Sequence, residues 1–383
     1  MADVQGVCDK RFEAVAMALA ESLDGDDVGA SAAVFVDGEP VADVWGGHAD
    51  AARTTDWERD TIANVFSTTK TMLALCALIL ADRGDLDLTA PVARYWPEFA
   101  AAGKEGVQVR HLLSHTAGLP ELDPPVPARD LTDWQDITAR LAAQAPLWEP
   151  GTLAGYHSIT QGFVVGEVIR RVTGVSIDSF FAAEVAGPLG ADFHLTLSAE
   201  HDHRFAPGIA PPESPDGDMV AAPPPDATAP VGVAPVEVAP PTGAGEGIRL
   251  SVANSVAWRR AQIPSGSGYG NARSVAAIQS LLACGGAVNG VRLLSPQGCD
   301  RAREEQYRGV DQVLGASIRW GMGYALFDHS IGWGGWGGSL VLVDPEARMT
   351  VAYVMNQMLE PRGMGGDHRG LGIVMAAYEG LGG

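Results

Sequence analysis

Lysine is scarce in this 383-residue chain. Of its 26 basic side chains 23 are arginine, and only Lys10, Lys70 and Lys104 are lysine. With 47 acidic side chains the formal net charge is −21 at pH 7, which argues against nucleic acid and anionic membrane surfaces as partners. Arginine stays protonated near neutral pH and lysine can lose its proton, so each lysine is a candidate for a function that arginine could not perform. Lys10 and Lys104 lie in polar stretches, where we expect them to be exposed and dispensable.

Cysteine is also rare, and long apolar runs are missing. The four cysteines are Cys8, Cys76, Cys284 and Cys299. They are widely spaced without a C-x-x-C pair, which predicts neither a disulfide framework nor a zinc site. The longest apolar run, residues 72–81, is too short to cross a bilayer. Because residues 1–22 lack a basic segment followed by an apolar one, they do not resemble a signal peptide, and we predict a cytoplasmic protein.

The hydropathy patterns at the two ends mirror each other. A helical pattern covers residues 11–22 near one end and residues 371–381 near the other. The predicted strands are 31–36, 41–45, 339–343 and 349–355. An antiparallel sheet built from both termini, with the terminal helices packed against it, would bury all these apolar faces in one layered domain.

The middle of the chain is predicted to be mainly helical. We therefore expect an α/β fold in which residues 1–85 and 265–383 form a sandwich domain and residues 86–264 form an inserted helical domain. Within the insert, residues 207–241 hold 11 of the 25 prolines, which predicts an extended loop. This loop is either a passive surface excursion or part of a substrate entrance.

The first pattern with chemical meaning is Ser67-Thr68-Thr69-Lys70, at the start of an apolar helix predicted over residues 66–83. Residues three apart on a helix lie one above the other, so the Lys70 amine can reach the Ser67 hydroxyl. The helix N-terminus favours alkoxide character on the serine, and apolar surroundings favour a neutral lysine. The alternative is a capping serine beside a lysine that extends to solvent.

The second pattern is Tyr156-His157-Ser158, just before another predicted helix. A tyrosine near a lysine ammonium can have a lowered pKa and act as a proton shuttle, and the Ser158 hydroxyl could orient the same lysine. The alternative is a tyrosine that only packs against the helix start.

His115 is expected to be structural and to donate to a backbone carbonyl. His201 and His203 lack a third ligand of suitable spacing, so we predict no metal site.

The third pattern is the glycine-rich run at residues 332–339, which includes Trp333-Gly334-Gly335 and Trp336 and leads into a predicted strand. Glycines beside a strand let a ligand approach the backbone, where an exposed amide could donate to an oxyanion. The run matches G-x-G-x-x-G, but here the glycines precede a strand and do not open a helix, so a dinucleotide site is not predicted.

The order of the three patterns resembles that of class C β-lactamases, penicillin-binding proteins and the β-lactamase-like carboxylesterases of family VIII. Residues 95–99 (YWPEF), 112–119 (LLSHTAGL) and 148–152 (WEPGT) are similar to segments of this superfamily. The resemblance extends from about residue 34 to about residue 355. It implies an α/β sandwich assembled from both termini plus a helical domain, with the site between them.

Site residues follow from the resemblance. Ser67 corresponds to the acylated nucleophile, Lys70 to its activating amine, and Tyr156 to the general base and acid. Ser158 stands where β-lactamases commonly have asparagine. The resemblance also implies backbone amides of Ser67 and Trp336 as oxyanion donors.

Trp333-Gly334-Gly335 occupies the position of the K-T-G or H-x-G motif. The lysine of K-T-G steers the carboxylate of a β-lactam, and tryptophan offers an apolar wall in its place. The resemblance therefore implies a serine carboxylesterase that acts on neutral, short-chain carboxylic esters through an acyl-enzyme, without metal or cofactor. The alternatives are a β-lactamase or D-amino-acid peptidase, an acyltransferase, and a binding protein without catalytic activity.

Overall fold

Strands from both ends of the chain meet in one sheet in the computed structural model, which describes residues 1–211, 248–359 and 367–382. In chain order the strands are β1 Val4–Cys8, β2 Gly29–Val36, β3 Glu39–Gly47, β4 Ile62–Asn64, β5 Phe193–His194, β6 Phe205–Ala206, β7 Tyr269–Gly270, β8 Ala287–Val288, β9 Val291–Arg292, β10 Tyr307–Val310, β11 Ser317–Trp320, β12 Ala325–Leu326, β13 Ile331–Gly334, β14 Leu340–Asp344 and β15 Met349–Met355. The large antiparallel sheet has the order β1-β3-β2-β15-β14-β13-β12-β11-β10. Strand β15 joins the two ends by pairing with β2, Met349 opposite Val36 and Met355 opposite Ala30.

Helices cover the sheet and fill the middle of the chain. Those in the described residues are α1 Glu13–Asp24, α2 Thr69–Arg83, α3 Val109–Leu113, α4 Trp134–Ala143, α5 Thr160–Thr173, α6 Ile177–Phe181, α7 Gly187–Leu189, α8 Leu250–Ala253, α9 Val256–Arg260, α10 Ala272–Ala283, α11 Pro296–Asp300 and α12 His368–Leu381. The terminal helices α1 and α12 pack together against β2, β3 and β15, and α10 packs against β2, β14 and β15. Both faces of β15 are therefore covered, and all seven of its residues are buried.

Helix α2 lies at the centre of the molecule because its sequence is apolar on every side. Each residue from Thr69 to Ala81 is buried, as expected for a helix without a polar face. It contacts α5 and α6 on one side, and α10, α11 and β13 on others. The helix ends at Gly84, whose φ of 83° is the left-handed conformation that favours glycine at a helix C-terminus.

The predicted fold class is confirmed: an antiparallel sheet built from both termini is flanked by helices, and a mainly helical region lies between. Strand β1, strands β10 to β13 and helix α10 were not predicted from the sequence. These strands have only two to five residues and carry little pattern. Helix α10, in contrast, begins with a capping box of Asn271 and Ser274 that marks a helix start. The domain division at residues 86 and 264 stays a prediction. Most of the proline-rich segment 207–241 lies outside the described residues.

None of the helices in the described part of the chain is both long and apolar enough to cross a bilayer. The cytoplasmic location stays a prediction. The four cysteines are all free thiols.

The expectation that Lys104 is exposed is wrong. Its side chain is 0% exposed, and its Nζ donates to the carbonyl oxygens of Ala101 at 2.8 Å, Ala142 at 3.0 Å and Gln144. Two of these carbonyls lie at the end of α4, where a cation also complements the helix dipole. Burial lowers the pKa of Lys104 to about 8, so the side chain remains an ammonium at neutral pH. Lys104 therefore joins the loop before it to the end of α4.

Replacing Lys104 with methionine should lower the free energy of unfolding by about 3 kcal/mol, since the aliphatic volume is kept and buried carbonyls lose their donor. The matched control is Lys10→Met, at an exposed position, which should change the stability by less than about 0.5 kcal/mol. Chemical denaturation monitored by tryptophan fluorescence measures both. Equal stability of the two variants would contradict a structural role for Lys104.

Candidate active site

Ser67 lies in the 3-10 turn Phe66–Thr68, directly before α2. Phe66 has a positive φ of 44°, an uncommon conformation for a residue with a large side chain. Its N–H donates to Asn64 Oδ1 at 2.9 Å, and its ring meets Trp336 edge-on with centroids 5.1 Å apart. The Asn64 amide also donates to the Gly266 carbonyl at 3.1 Å. These contacts hold a strained turn, so the position of Ser67 is fixed by its neighbours.

The Lys70 amine lies between Ser67 and two backbone carbonyls. Its Nζ is 3.0 Å from Ser67 Oγ, 2.7 Å from the Ser158 carbonyl oxygen and 3.0 Å from the Ser265 carbonyl oxygen. A neutral amine has two N–H donors and one lone pair. If the donors bind the carbonyls, the lone pair is directed at the Ser67 hydroxyl, which can donate to it.

Burial favours that neutral form. The Lys70 side chain is only 2% exposed, and desolvation holds its pKa well below the ordinary value of 10.5. The nearest polar groups are a hydroxyl and two carbonyls, none of which carries a full negative charge. The arrangement therefore places an amine with a lowered pKa beside a hydroxyl whose proton it could accept.

Ser158 reaches Lys70 differently from the prediction. The group in contact with the amine is its backbone carbonyl, and an orienting role for the hydroxyl stays a prediction. Ser265 was missed in the sequence although it supplies the second carbonyl. Its hydroxyl accepts from the Gly162 N–H at 2.6 Å and donates to the Ile159 carbonyl at 2.8 Å, which ties its loop to the start of α5.

The Tyr156 phenol completes the group around Ser67. Its hydroxyl accepts from Trp333 Nε1 at 3.0 Å. Burial raises the pKa of Tyr156, so the expected lowering of that pKa is wrong and the resting side chain is a neutral phenol. Trp333 was expected only to form an apolar wall, but its indole also donates this hydrogen bond.

Three aromatic rings surround the Tyr156 ring. His115 lies 4.9 Å away, Trp333 5.1 Å away, and Trp320 stacks nearly parallel at 6.1 Å between centroids. His115 accepts at Nδ1 from the His157 N–H at 3.1 Å, so its role is structural as expected but the predicted direction of the hydrogen bond is wrong. Burial lowers the pKa of both histidines, His157 to about 4, which leaves both neutral at neutral pH.

The glycine-rich run packs directly against the Ser67 turn. A Cβ on Gly335 would lie 2.2 Å from the Val65 carbonyl oxygen, so only glycine fits there. Gly334 ends β13, opposite Leu340. Residues 335–338 form a tight turn closed by the Gly338 N–H and the Gly335 carbonyl at 3.1 Å, and half-buried Trp336 lies within it.

Ser339, another residue missed in the sequence, joins this run to the Ser67 turn. Its Oγ donates to the Val65 carbonyl at 2.8 Å and lies 3.1 Å from Thr68 Oγ1. The residue is 0% exposed, so water cannot replace these bonds. The glycine-rich run and the Ser67 turn, about 270 residues apart in sequence, are thereby held together.

Comparison with known proteins places this geometry in a family. The family model described as beta-lactamase matches residues 13–374. The chain belongs to the beta-lactamase family. The esterase/beta-lactamase LipL of Mycobacterium tuberculosis is 35% identical over 387 aligned positions, which cover 96% of this chain and 86% of LipL.

Solved structures of family members have the same architecture. The crystal structure of a family VIII carboxylesterase matches with a TM-score of 0.88 and 38% identity, over 99% of this chain and 100% of that one. EstA from Arthrobacter nitroguajacolicus Rue61a matches with a TM-score of 0.81 and 27% identity, over 99% of both chains. The resemblance to this superfamily inferred from the motifs is confirmed.

Within the described ranges, no three His, Cys, Asp or Glu side chains are grouped so that they could hold a metal ion. His201 and His203 lie in a polar turn, where His201 Nε2 is 3.6 Å from Glu200 and His203 Nδ1 bonds the Glu200 carbonyl at 2.8 Å. Both histidine side chains therefore contact Glu200 within the same turn.

Removing the Ser339 hydroxyl in this beta-lactamase family member should lower the free energy of unfolding by about 2 kcal/mol, because Ser339→Ala leaves the buried Val65 carbonyl without this donor. Thr350→Val is the matched control, since the Thr350 hydroxyl is buried without a hydrogen-bond partner. That change should leave the stability unchanged or raise it. Thermal unfolding of both variants measures the difference, and a Ser339→Ala protein as stable as Thr350→Val would contradict this account.

Proposed function

We propose that this protein is a serine carboxylesterase that hydrolyses neutral, short-chain carboxylic esters through an acyl-enzyme on Ser67. The observation that carries the proposal is the Lys70 amine, buried against backbone carbonyls and 3.0 Å from the Ser67 hydroxyl. Further support comes from relatives named as esterases and from the family VIII carboxylesterase structure.

In the proposed acylation step, Lys70 takes the proton of Ser67 while Ser67 Oγ attacks the ester carbonyl carbon. The backbone amides of Ser67 and Trp336 donate to the developing oxyanion. As the tetrahedral intermediate collapses, the bond to the alcohol oxygen breaks and Tyr156 gives that oxygen its proton. The Lys70 ammonium then returns a proton to the Tyr156 phenolate, so both groups regain their neutral resting forms.

Deacylation uses the same groups with water in place of Ser67. Water loses a proton to the Lys70 amine as it attacks the acyl carbon, and Ser67 leaves with a proton from Tyr156. Each turnover consumes one ester and one water and gives one acid and one alcohol. No step requires a metal or an organic cofactor.

The surroundings of Trp333 support an uncharged substrate. Its indole N–H is already bonded to Tyr156, so the site offers no cation at the position where a lysine of K-T-G would lie. Beside Trp333 lies a cavity of about 330 Å³ with an apolar side formed by Ile318, Ala325, Leu326 and Phe327. Its polar side is formed by Ser317, Arg308 and Arg319, and both guanidinium groups are already paired with Glu305. The apolar side of this cavity suits a small acyl or alcohol group.

A β-lactamase is the second candidate, because LipL carries both names. The same acylation chemistry would open a β-lactam ring. Opening a ring releases no separate alcohol, and the substrate carboxylate would meet Trp333 in place of a cation. We therefore expect ester turnover to exceed β-lactam turnover.

The proposal predicts that Ser67→Ala abolishes hydrolysis of p-nitrophenyl acetate and that a fluorophosphonate probe labels Ser67. Lys70→Arg should keep the fold and lose at least about 100-fold in kcat/KM, because a permanently charged guanidinium cannot accept the Ser67 proton. Lys10→Arg, at an exposed position, is the control for the same exchange and should retain full activity.

Steady-state kinetics, mass spectrometry of the labelled peptide and parallel assays with nitrocefin provide the measurements. Wild-type turnover by Ser67→Ala, or a label on another residue, would refute the assignment of Ser67. Nitrocefin turnover comparable to ester turnover would favour the β-lactamase.

A further inference from the structure

A buried carboxylate lies behind Tyr156, in a loop that the sequence motifs do not include. Asp311 is 0% exposed. Its Oδ1 accepts from the backbone N–H groups of Tyr156 at 2.9 Å, Val313 at 3.0 Å and Leu314 at 3.0 Å. Its Oδ2 accepts from Trp320 Nε1 at 3.1 Å. Four donors converge on this one side chain, which is the pattern of an ionised carboxylate held entirely by N–H groups.

Two of these bonds act on Tyr156. One fixes the Tyr156 backbone directly. The other fixes the indole of Trp320, whose plane lies 6° from that of the Tyr156 ring at a centroid distance of 6.1 Å. Because Trp320 packs in one cluster with Tyr156 and is itself bonded to Asp311, it restricts displacement of the phenol.

The remaining bonds fix the carboxylate itself. The Val313 and Leu314 N–H groups close a turn around the Asp311 side chain, and the Gln312 N–H donates to the Ala154 carbonyl at 2.8 Å. The loop that carries Asp311 is thus bonded to the segment of Tyr156 in two ways. The Gln312 backbone N–H binds the Ala154 carbonyl, and the Asp311 side chain binds the Tyr156 N–H. A displacement of either segment would be transmitted to the other.

Burying a carboxylate is expensive, and desolvation raises the pKa of Asp311 itself. A hydrophobic residue would fill the space at lower cost if packing were the sole requirement. The negative charge also raises the pKa of Tyr156, which helps to keep the phenol protonated. A group that must give a proton to a leaving alcohol has to be both protonated and correctly aimed.

We propose that Asp311 is the positioning residue of the general acid: it holds Tyr156, through its backbone and through Trp320, in the place from which the phenol protonates the leaving alcohol. This inference rests on the proposed function. In the step concerned, the bond between the acyl carbon and the alcohol oxygen breaks, the electron pair goes to that oxygen, and the Tyr156 proton goes to the same oxygen.

The inference predicts a dependence on the leaving group. An alkyl alcohol is a poor leaving group unless it is protonated, whereas p-nitrophenolate leaves without a proton. Misplacing Tyr156 should therefore slow an ethyl ester far more than the p-nitrophenyl ester of the same acid. Loss of protein or general loosening of the site would slow both substrates equally.

The experiment compares kcat/KM for ethyl butyrate and p-nitrophenyl butyrate in the wild-type protein, Asp311→Asn and Asp311→Ala. Asparagine keeps an acceptor for the Tyr156 N–H but turns an N–H₂ towards the Trp320 indole donor. We expect the ratio of ethyl to p-nitrophenyl rates to fall about tenfold in Asp311→Asn and about 100-fold in Asp311→Ala. The stoichiometry of fluorophosphonate labelling gives the active fraction of each preparation.

Asp344→Asn is the matched control. Asp344 is also buried, and it accepts from the Glu346 and Ala347 N–H groups and the Tyr378 hydroxyl, away from Ser67. It should lower the melting temperature without changing the substrate ratio. An unchanged ratio in both Asp311 variants would overturn the inference and leave the proposed function standing. A wild-type protein that hydrolyses neither ester would overturn both.

Discussion

The burial of a lysine amine among neutral partners, inside an apolar helix packing, is the constraint on which the rest of the structure depends. Lys70 belongs to a helix that is buried on all sides, so its amine cannot reach bulk water. Two carbonyls and the Ser67 hydroxyl are its partners, and they come from three segments far apart in sequence. The fold must bring those segments together to within hydrogen-bond distance, and the same requirement assembles the site.

The two buried lysines show how the neighbouring atoms set the state of an amine. Lys104 is surrounded by three carbonyl oxygens, which can only accept, so all three need the N–H groups of an ammonium. Lys70 has two carbonyls and a hydroxyl, and a hydroxyl can donate. The neutral amine therefore has a complete set of partners at Lys70 but would lack one at Lys104. One lysine is suited to structure and the other to proton transfer.

The sequence allowed the fold class and the cluster of Ser67, Lys70, Tyr156 and Trp333 to be predicted, because the serine and lysine are local on one helix and the other motifs follow in a familiar order. It could not reveal which atom of Ser158 faces the lysine, since a carbonyl leaves no mark in the residue type. Ser265, Ser339 and Asp311 were missed for a related reason: each acts on a segment more than 100 residues away. Nor did the polar residues around Lys104 indicate that the side chain turns inward.

The most direct test of this account is the protonation state of Lys70 in the resting protein. Three lysines give three sets of side-chain signals after labelling with isotopes, and Lys70→Arg identifies the signal concerned by removing it. An NMR titration should find that the Lys70 amine loses its proton well below the ordinary pKa of 10.5. An ammonium signal that persists to pH 10 would contradict the claim that burial prepares this lysine to take the proton of Ser67.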